Sequence, residues 1–342
     1  MTRAARPLLW PLAPAYRLAL ALREFELRTG LKPVRRLSWP VVSIGNLSAG
    51  GAGKTPFAIA LARSLAARGV HVDVLSRGYG RRRSALPLVI DTRGAAEEFG
   101  DEPLEIAREA GVPVLVAAER YEAGLLAEAA EGASRQISES ASQQTCVHLL
   151  DDGFQHRQLH RDVDILLLCG RDLNDHLLPA GNLRETLRAT ERADVIAVPA
   201  VEPEVADWVK AQGWERPVWR LRRRMDVPHV DGPVIAFCGI ARPEQFFAGL
   251  KRAGLRIAAR LAFADHHLYT ADDLKRLATA AQQNSAAALL TTEKDRARLG
   301  EMASLLPASL PLKAVPLRIE IADEAAAIDW LLNRIRTPRT PG

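Results

Sequence analysis

Ser48-Ala49-Gly50-Gly51-Ala52-Gly53-Lys54-Thr55 is the stretch on which the fold reading turns. It follows an apolar run, Val41-Val42-Ser43-Ile44, and leads into Pro56-Phe57-Ala58-Ile59-Ala60-Leu61-Ala62. The first run reads as a strand and the second as a helix, with a Gly-rich turn between them. Glycines let successive backbone N–H groups curl around phosphate oxygens, and the helix N-terminus adds the positive end of its dipole. In such a loop Lys54 reaches the β- and γ-phosphates of a nucleotide, and Thr55 holds Mg²⁺ through its hydroxyl. The usual pattern, G-x-x-x-x-G-K-[ST], opens with Gly, whereas this chain has Ser48 there. Strand, Gly53-Lys54-Thr55 and helix still line up, so the whole of 48–55 is read as the nucleotide loop.

Working outward, 70–75 reads as a second strand, with a helix at 56–68 between the two. That is a βαβ unit, hence a parallel sheet. Ser76-Arg77-Gly78-Tyr79-Gly80-Arg81-Arg82-Arg83 follows the second strand. Loops after strand C-termini line the ligand crevice of open α/β sheets, so Arg77 is a candidate anion binder. Arg81 to Arg83 read better as a solvated basic turn. After a short strand at 88–91, Gly100-Asp101-Glu102-Pro103 marks a tight turn into a helix that runs to about 110. Acids at a helix start serve as caps by default. A strand at 112–117 leads to Arg120-Tyr121 and another helix.

Residues 131–144 read as a solvated loop or a frayed helix end. Cys146-Val147-His148-Leu149-Leu150 is an apolar strand ending in Asp151-Asp152. A carboxylate at a strand end beside a phosphate loop positions Mg²⁺, which is the Walker-B arrangement. Gly153-Phe154-Gln155-His156-Arg157 continues into the crevice loop. Val163 to Cys169 reads as a central buried strand. Pro179-Ala180-Gly181-Asn182-Leu183-Arg184-Glu185 is a loop from which the next helix starts at Arg184, and 194–198 is a further strand. Strands that recur between helices from 41 to 198 define a P-loop NTPase-like α/β core, a mostly parallel sheet covered by helices.

The pattern changes over 200–232, where Pro and Trp residues and Arg222-Arg223-Arg224 interrupt it. A domain boundary is expected there. Beyond it lies a smaller C-terminal α/β domain: strands at 234–238, 255–263, 287–291 and 312–319, and helices at 243–253, 271–282 and 324–336. The expected division is an N-terminal helix in 1–30, a kinase-like core at 31–220, the smaller domain at 221–336 and a tail at 337–342.

Composition sets wider limits. The chain has 342 residues, 48% hydrophobic and 25% charged, the profile of a globular protein. Net charge is +5, and only 7 of the 46 basic residues are Lys. The Arg bias does not indicate nucleic acid, and none is expected as a partner. It suits an anionic substrate or an anionic membrane surface equally well. Cys146, Cys169 and Cys238 have neither metal nor disulfide spacing, which favours a reducing cytoplasm. At the N-terminus, 15–27 is an amphipathic helical stretch carrying Tyr16, Leu18, Leu20, Leu22, Phe25 and Leu27, broken by Arg17, Arg23, Glu24 and Glu26. It is too short and too charged to span a bilayer. Either it lies in a membrane interface or it packs on the protein's own core.

Taken together these segments resemble the tetraacyldisaccharide 4'-kinase family, the lipid A 4'-kinases. The resemblance rests on Ser43-Ile44-Gly45-Asn46-Leu47 with Gly50 to Pro56, on Ser76 to Gly80, on Gly100 to Pro103, and on Leu150-Asp151-Asp152-Gly153-Phe154-Gln155-His156. Leu178 to Gly181 with Leu183 to Glu185, Phe263-Ala264-Asp265-His266-His267 and Leu290-Thr291-Thr292-Glu293-Lys294-Asp295 complete it, in order over nearly the whole chain. One departure is Asn182, where the run Pro-Ala-Gly-Pro-Leu-Arg-Glu is expected.

The resemblance implies transfer of the ATP γ-phosphoryl group, with Mg²⁺, to the 4'-hydroxyl of an acylated glucosamine disaccharide 1-phosphate in lipid A (lipopolysaccharide) biosynthesis. It implies a peripheral protein, expected to be a monomer, on the cytoplasmic face of the bacterial inner membrane, docked by its N-terminal helix. It makes Asp101 the general base, assisted by His266. Lys54 is a catalytic cation, and Thr55 with Asp151 or Asp152 takes the metal. Asn46, Arg77, Glu102, Arg120, Gln155, His156 and Arg184 are substrate-binding candidates, the arginines as partners for the acceptor phosphate. Two rivals are a P-loop ATPase switch that phosphorylates no lipid, and a kinase for a small soluble substrate. Many such switches carry a Lys directly ahead of the Gly pair, where this chain has Ala49.

Overall fold

The computed structural model describes residues 7–49, 53–78, 86–94, 96–137, 145–265 and 267–337. Gly50, Gly51, Ala52, Arg81 to Arg83, His266 and all of the expected tail but Thr337 therefore lie outside the described residues. In chain order the strands are β1 (Val41–Asn46), β2 (His71–Ser76), β3 (Leu88–Val89), β4 (Val114–Val116), β5 (Cys146–Leu150), β6 (Val163–Leu167) and β7 (Val195–Pro199). They continue with β8 (Val218–Met225), β9 (Val234–Cys238), β10 (Ile257–Ala262), β11 (Ala288–Thr292), β12 (Leu312–Val315) and β13 (Leu317–Ile321).

Nine strands form one sheet in the order β13-β8-β7-β6-β1-β5-β2-β4-β3. From β7 through β1 to β4 the pairings are parallel, and the short β3 runs antiparallel to β4. β1 is buried along its whole length, as a strand covered on both faces must be. Alternate residues go to opposite sides of the sheet. Val42, Ile44, Leu149, Ile165 and Leu167 face a core shared with Phe57, Leu61 and Leu65 of the helix Lys54–Ala67 and Leu104 of the helix Asp101–Ala110. Val41, Leu75, Leu115 and Leu150 face another, closed by Ala123 and Ala127 of the helix Arg120–Ile137.

The chain divides into two compact units, Met1–Arg222 with Ile319–Gly342, and Arg223–Arg318. The second has its own four-stranded sheet, β10-β9-β11-β12, parallel throughout. Phe237 and Leu289 point to one side of it, and Ala236, Cys238 and Leu290 to the other. Thr270 and Asp273 form a capping box at the start of the helix Ala271–Gln283, each satisfying a backbone donor of the other.

Three local expectations change. The strand at 312–319 is two strands in two sheets, β12 beside β11 and β13 beside β8. Pro316 separates them, because it has no N–H to donate to a ladder. The last helix, Glu324–Arg336, expected in the smaller domain, belongs to the first unit: Ala327, Ile328, Leu331 and Ile335 are buried in its core, and Trp330 meets Trp219 edge to face. Lastly, the helix expected to start at Arg184 is a 3₁₀ turn, Leu187–Arg192. Within the irregular 200–232 region lie a helix, Pro203–Ala211, and β8, whose buried Trp219 and Leu221 alternate with exposed arginines.

Candidate active site

Parallel neighbours end on the same edge of a sheet. β1 lies between β5 and β6, so Asn46 at its end and Asp151-Asp152 after β5 come out side by side. Gly45 makes that approach possible: a Cβ there would stand 2.4 Å from the Phe154 Cβ. Gly53 takes a left-handed φ of +85° and opens the helix Lys54–Ala67. Asp152 is also left-handed, at φ +47°, which turns the chain sharply after β5.

The polar side chains at this edge form one connected network. Lys54 Nζ donates to Asn46 Oδ1 at 2.9 Å and lies 3.4 Å from Asp152 Oδ1. Arg184 donates from Nη1 to Asp152 Oδ2 at 2.9 Å, and from Nη2 to Asn46 Oδ1 at 3.2 Å. Gln155 Nε2 donates to the Asn46 carbonyl at 2.9 Å, and Asn46 Nδ2 donates to the Ser48 carbonyl at 2.7 Å. Buried Arg120 donates through Nη2 to the carbonyls of Asp151 and Asp152, at 3.1 and 3.2 Å. Two cations thus converge on Asp152, and a third grips the backbone beneath it.

Adjacent carboxylates behave differently here. Burial pushes Asp151 up to about 6, reinforced by the negative charges of Glu102 and Asp152 and opposed by Lys54 and Arg120. Asp152 also pays a burial penalty, but Lys54 and Arg184 overcome it and hold the carboxyl below its usual value. His156 is pulled down to about 4 by burial and by Arg120, Arg161, Arg23 and Arg77, so its ring is neutral at physiological pH. Burial likewise lowers Arg120, against the attraction of Asp151 and Asp152.

Asp151 Oδ1 is buried and accepts no hydrogen bond. A hard cation bound partly through nucleotide phosphates needs only one or two protein carboxylates. Asp151 with the buried hydroxyl of Thr55 fits that donor set. Among the described residues no cluster of three or more His, Cys, Asp or Glu is arranged as a metal cage.

The raised Asp151 has a stability consequence. Its proton is bound more tightly in the folded state, so the folded state is favoured below the unfolded value, 3.8, and that advantage is lost as pH rises through about 6. At about 1.36 kcal/mol per unit, ionised Asp151 costs the ligand-free fold roughly 3 kcal/mol above pH 7. Asp151→Asn is therefore expected to raise the Tm of the ligand-free protein at pH 8 and to leave it unchanged near pH 3.5. A Tm gain of equal size at both pH values would show that ionisation is not its source.

Of the other candidates, Ser48 is buried, Arg77 is exposed, and Arg77 acts electrostatically on Arg120 and His156. Asp101 is the first residue of its helix, after Gly100 at φ +91°. Glu102, next to it, lies within electrostatic reach of Asp151. His266 lies outside the described residues.

Sequence reasoning missed several supporting groups. Arg171 Nη2 donates to Ser48 Oγ at 3.4 Å. Asn182, the departure noted above, uses its N–H and its side-chain amide on Asp175, at 3.2 and 2.8 Å, while its carbonyl accepts from Ala49 N at 2.8 Å. A proline there would have no N–H to give. Thr292 Oγ1 donates to the buried Asp295 at 2.6 Å and caps the helix Glu293–Leu299.

Known proteins carry the same architecture. A family model described as tetraacyldisaccharide-1-P 4'-kinase matches residues 5–336. A tetraacyldisaccharide 4'-kinase of Koribacter versatilis is 40% identical over 336 residues, covering 95% of this chain and 98% of that one. One from Rhodopseudomonas palustris is 41% identical over 310 residues, covering 88% and 86%. The crystal structure of LpxK from Aquifex aeolicus in complex with ATP superposes with a TM-score of 0.70 at 31% identity, covering 96% of this chain and 99% of that one. On this evidence the chain belongs to the tetraacyldisaccharide 4'-kinase family.

Proposed function

We propose that the network of Lys54, Asp152, Arg184 and Asn46 is the phosphoryl-transfer centre of an ATP-dependent kinase acting on the 4'-hydroxyl of an acylated glucosamine disaccharide 1-phosphate in lipid A biosynthesis. The observation that carries this is the pairing of Lys54, at the start of its helix, with the strand-end Asp152 at 3.4 Å. Phosphoryl transfer needs positioning and charge neutralisation more than covalent chemistry from the protein. Lys54 and Arg184 supply cations, and the N-terminus of the helix Lys54–Ala67 supplies N–H donors. Mg²⁺ would be held by Asp151 and Thr55, because Asp152 is already engaged by two cations; when bound it neutralises charge on the transferred phosphate. A sugar hydroxyl is a poor nucleophile until its proton has an acceptor, the role proposed for Asp101 with His266. Arg77, Arg120, Glu102, Gln155 and His156 are the proposed contacts to the acceptor. Nothing favours an ATPase switch over a lipid kinase.

Membrane contact is proposed through the helix Ala13–Arg28 and the turn before it. Trp10 (55%), Leu18 (62%), Leu22 (56%) and Phe25 (59%) are all more than half exposed. Among the described residues no helix is long and apolar enough to cross a membrane. An interfacial helix on the cytoplasmic face of the inner membrane suits this surface, with arginines at headgroup level. Replacing Leu18 and Phe25 together by Ser is expected to cut binding to anionic vesicles about 100-fold, since each apolar side chain contributes on the order of 1.5 kcal/mol. Unchanged partitioning would mean that this face does not meet lipid. A monomer acting alone is the expected form, checked by light scattering.

The activity itself is tested with γ-labelled ATP and acylated disaccharide 1-phosphate. Label appearing at the 4'-position of the lipid is expected. ATP hydrolysis with no label in lipid would overturn the proposal in favour of the switch.

A further inference from the structure

The helix Ala13–Arg28 has an inner face as well as an exposed one. Tyr16 and Leu20 pack against a buried cluster containing Leu47, Phe154 and Leu183. Each of those three adjoins a polar member of the active-site network: Leu47 lies between Asn46 and Ser48, Phe154 precedes Gln155, and Leu183 precedes Arg184. The three loops therefore send alternate residues to the site and to the underside of this helix.

Polar ties follow the same lines. Tyr16 Oη donates to the Arg184 carbonyl at 3.0 Å. Arg23 donates to the Gln155 carbonyl, and Glu24 pairs with Arg157. On its other side the Arg184 peptide N–H donates to the Leu47 carbonyl at 2.7 Å. The Arg184 backbone is thus clamped between the end of β1 and Tyr16, and its guanidinium spans Asp152 and Asn46.

We propose that Tyr16 is a positioning residue for phosphoryl transfer, acting through Arg184, and that the N-terminal helix is part of the scaffold of the active site as well as a membrane-facing element. The proposal rests on the reading of Arg184 as a phosphate-neutralising cation. A guanidinium acts on developing charge only when held in place, and small displacements are costly in rate. A hydroxyl on the far side of the peptide can set that position without touching substrate.

The test uses the full chain with detergent-dispersed acylated disaccharide 1-phosphate, so that membrane partitioning plays no part. Tyr16→Phe keeps the ring and removes one hydrogen bond. It is expected to lower kcat about 5- to 10-fold, the scale of one such bond, with KM for ATP within about twofold and Tm unchanged. Arg23→Met, which keeps helix propensity while releasing the Gln155 carbonyl, is expected to lower kcat in the same way. In an Arg184→Ala background Tyr16→Phe should add nothing, because both changes remove the same function. Wild-type kcat for a folded Tyr16→Phe overturns the proposal, as does an undiminished loss in the Arg184→Ala background. Wild-type turnover by Arg184→Ala would remove Arg184 from the chemistry and the role of Tyr16 with it; Lys54→Ala, run in parallel, shows separately whether the loop is the nucleotide site.

Discussion

Lys54→Ala is expected to lower kcat by about 10³-fold, with little change in fold. The rate effect follows from what the ammonium does. In the proposed reading it is the cation of the nucleotide loop, and removing one preorganised charge partner from a transition state costs about 10²- to 10³-fold or more. The small structural effect follows from what it leaves behind. Asp152 keeps its 2.9 Å pair with Arg184, and Asn46 keeps its bond from the same guanidinium. Asp152 is therefore not left as an unpaired charge, the circumstance that makes such deletions destabilising. The measurement is single-turnover transfer of γ-phosphate to the lipid, alongside thermal unfolding. Near-wild-type transfer by a folded variant would exclude the loop as the ATP site.

Asp101→Ala and His266→Ala are each expected to lower kcat by about 10²-fold or more, the usual scale for losing a general base, with ATP affinity little changed. The case for Asp101 is that a carboxylate is needed near the acceptor hydroxyl and that it opens a helix whose next residue, Glu102, influences the strand-end Asp151. The case for His266 rests on the family pattern. If the two serve one proton transfer, the double variant should be no worse than the more damaged single one. Fully multiplicative losses would show that they act independently. Wild-type turnover by Asp101→Ala would return that residue to a helix-capping role.

The legible parts of this protein share one property: their information is local. A strand, a Gly-rich turn, a helix and a strand ending in two acids are each written within about ten residues. β1, β5 and the helix Lys54–Ala67 accordingly lie where the pattern put them. The 312–319 run was misread because its apolar spacing is continuous across Pro316, and only pairing reveals that its halves serve different sheets. The last helix was misplaced because nearness in sequence stood in for nearness in space. Its apolar stripe shows that it is buried but not against what.

The sequence by itself determined the α/β class, the family and the strand that runs into Asp151-Asp152, because hydrophobic period and motif spacing are short-range. The tertiary structure decided which charges meet. Arg184 lies 138 residues from Asn46 and 32 from Asp152, and only the packing of Leu183 beside the end of β1 brings it to both. It also separated Asp151 from Asp152: identical neighbours in sequence, one is buried away from hydrogen-bond donors at Oδ1 and the other is held by two cations. It also decided which face of the N-terminal helix packs inward, through Tyr16 and Leu20, and left Leu18 and Phe25 outside. Burial and long-range charge pairing depend on how separate segments pack, and one segment's residues do not contain that.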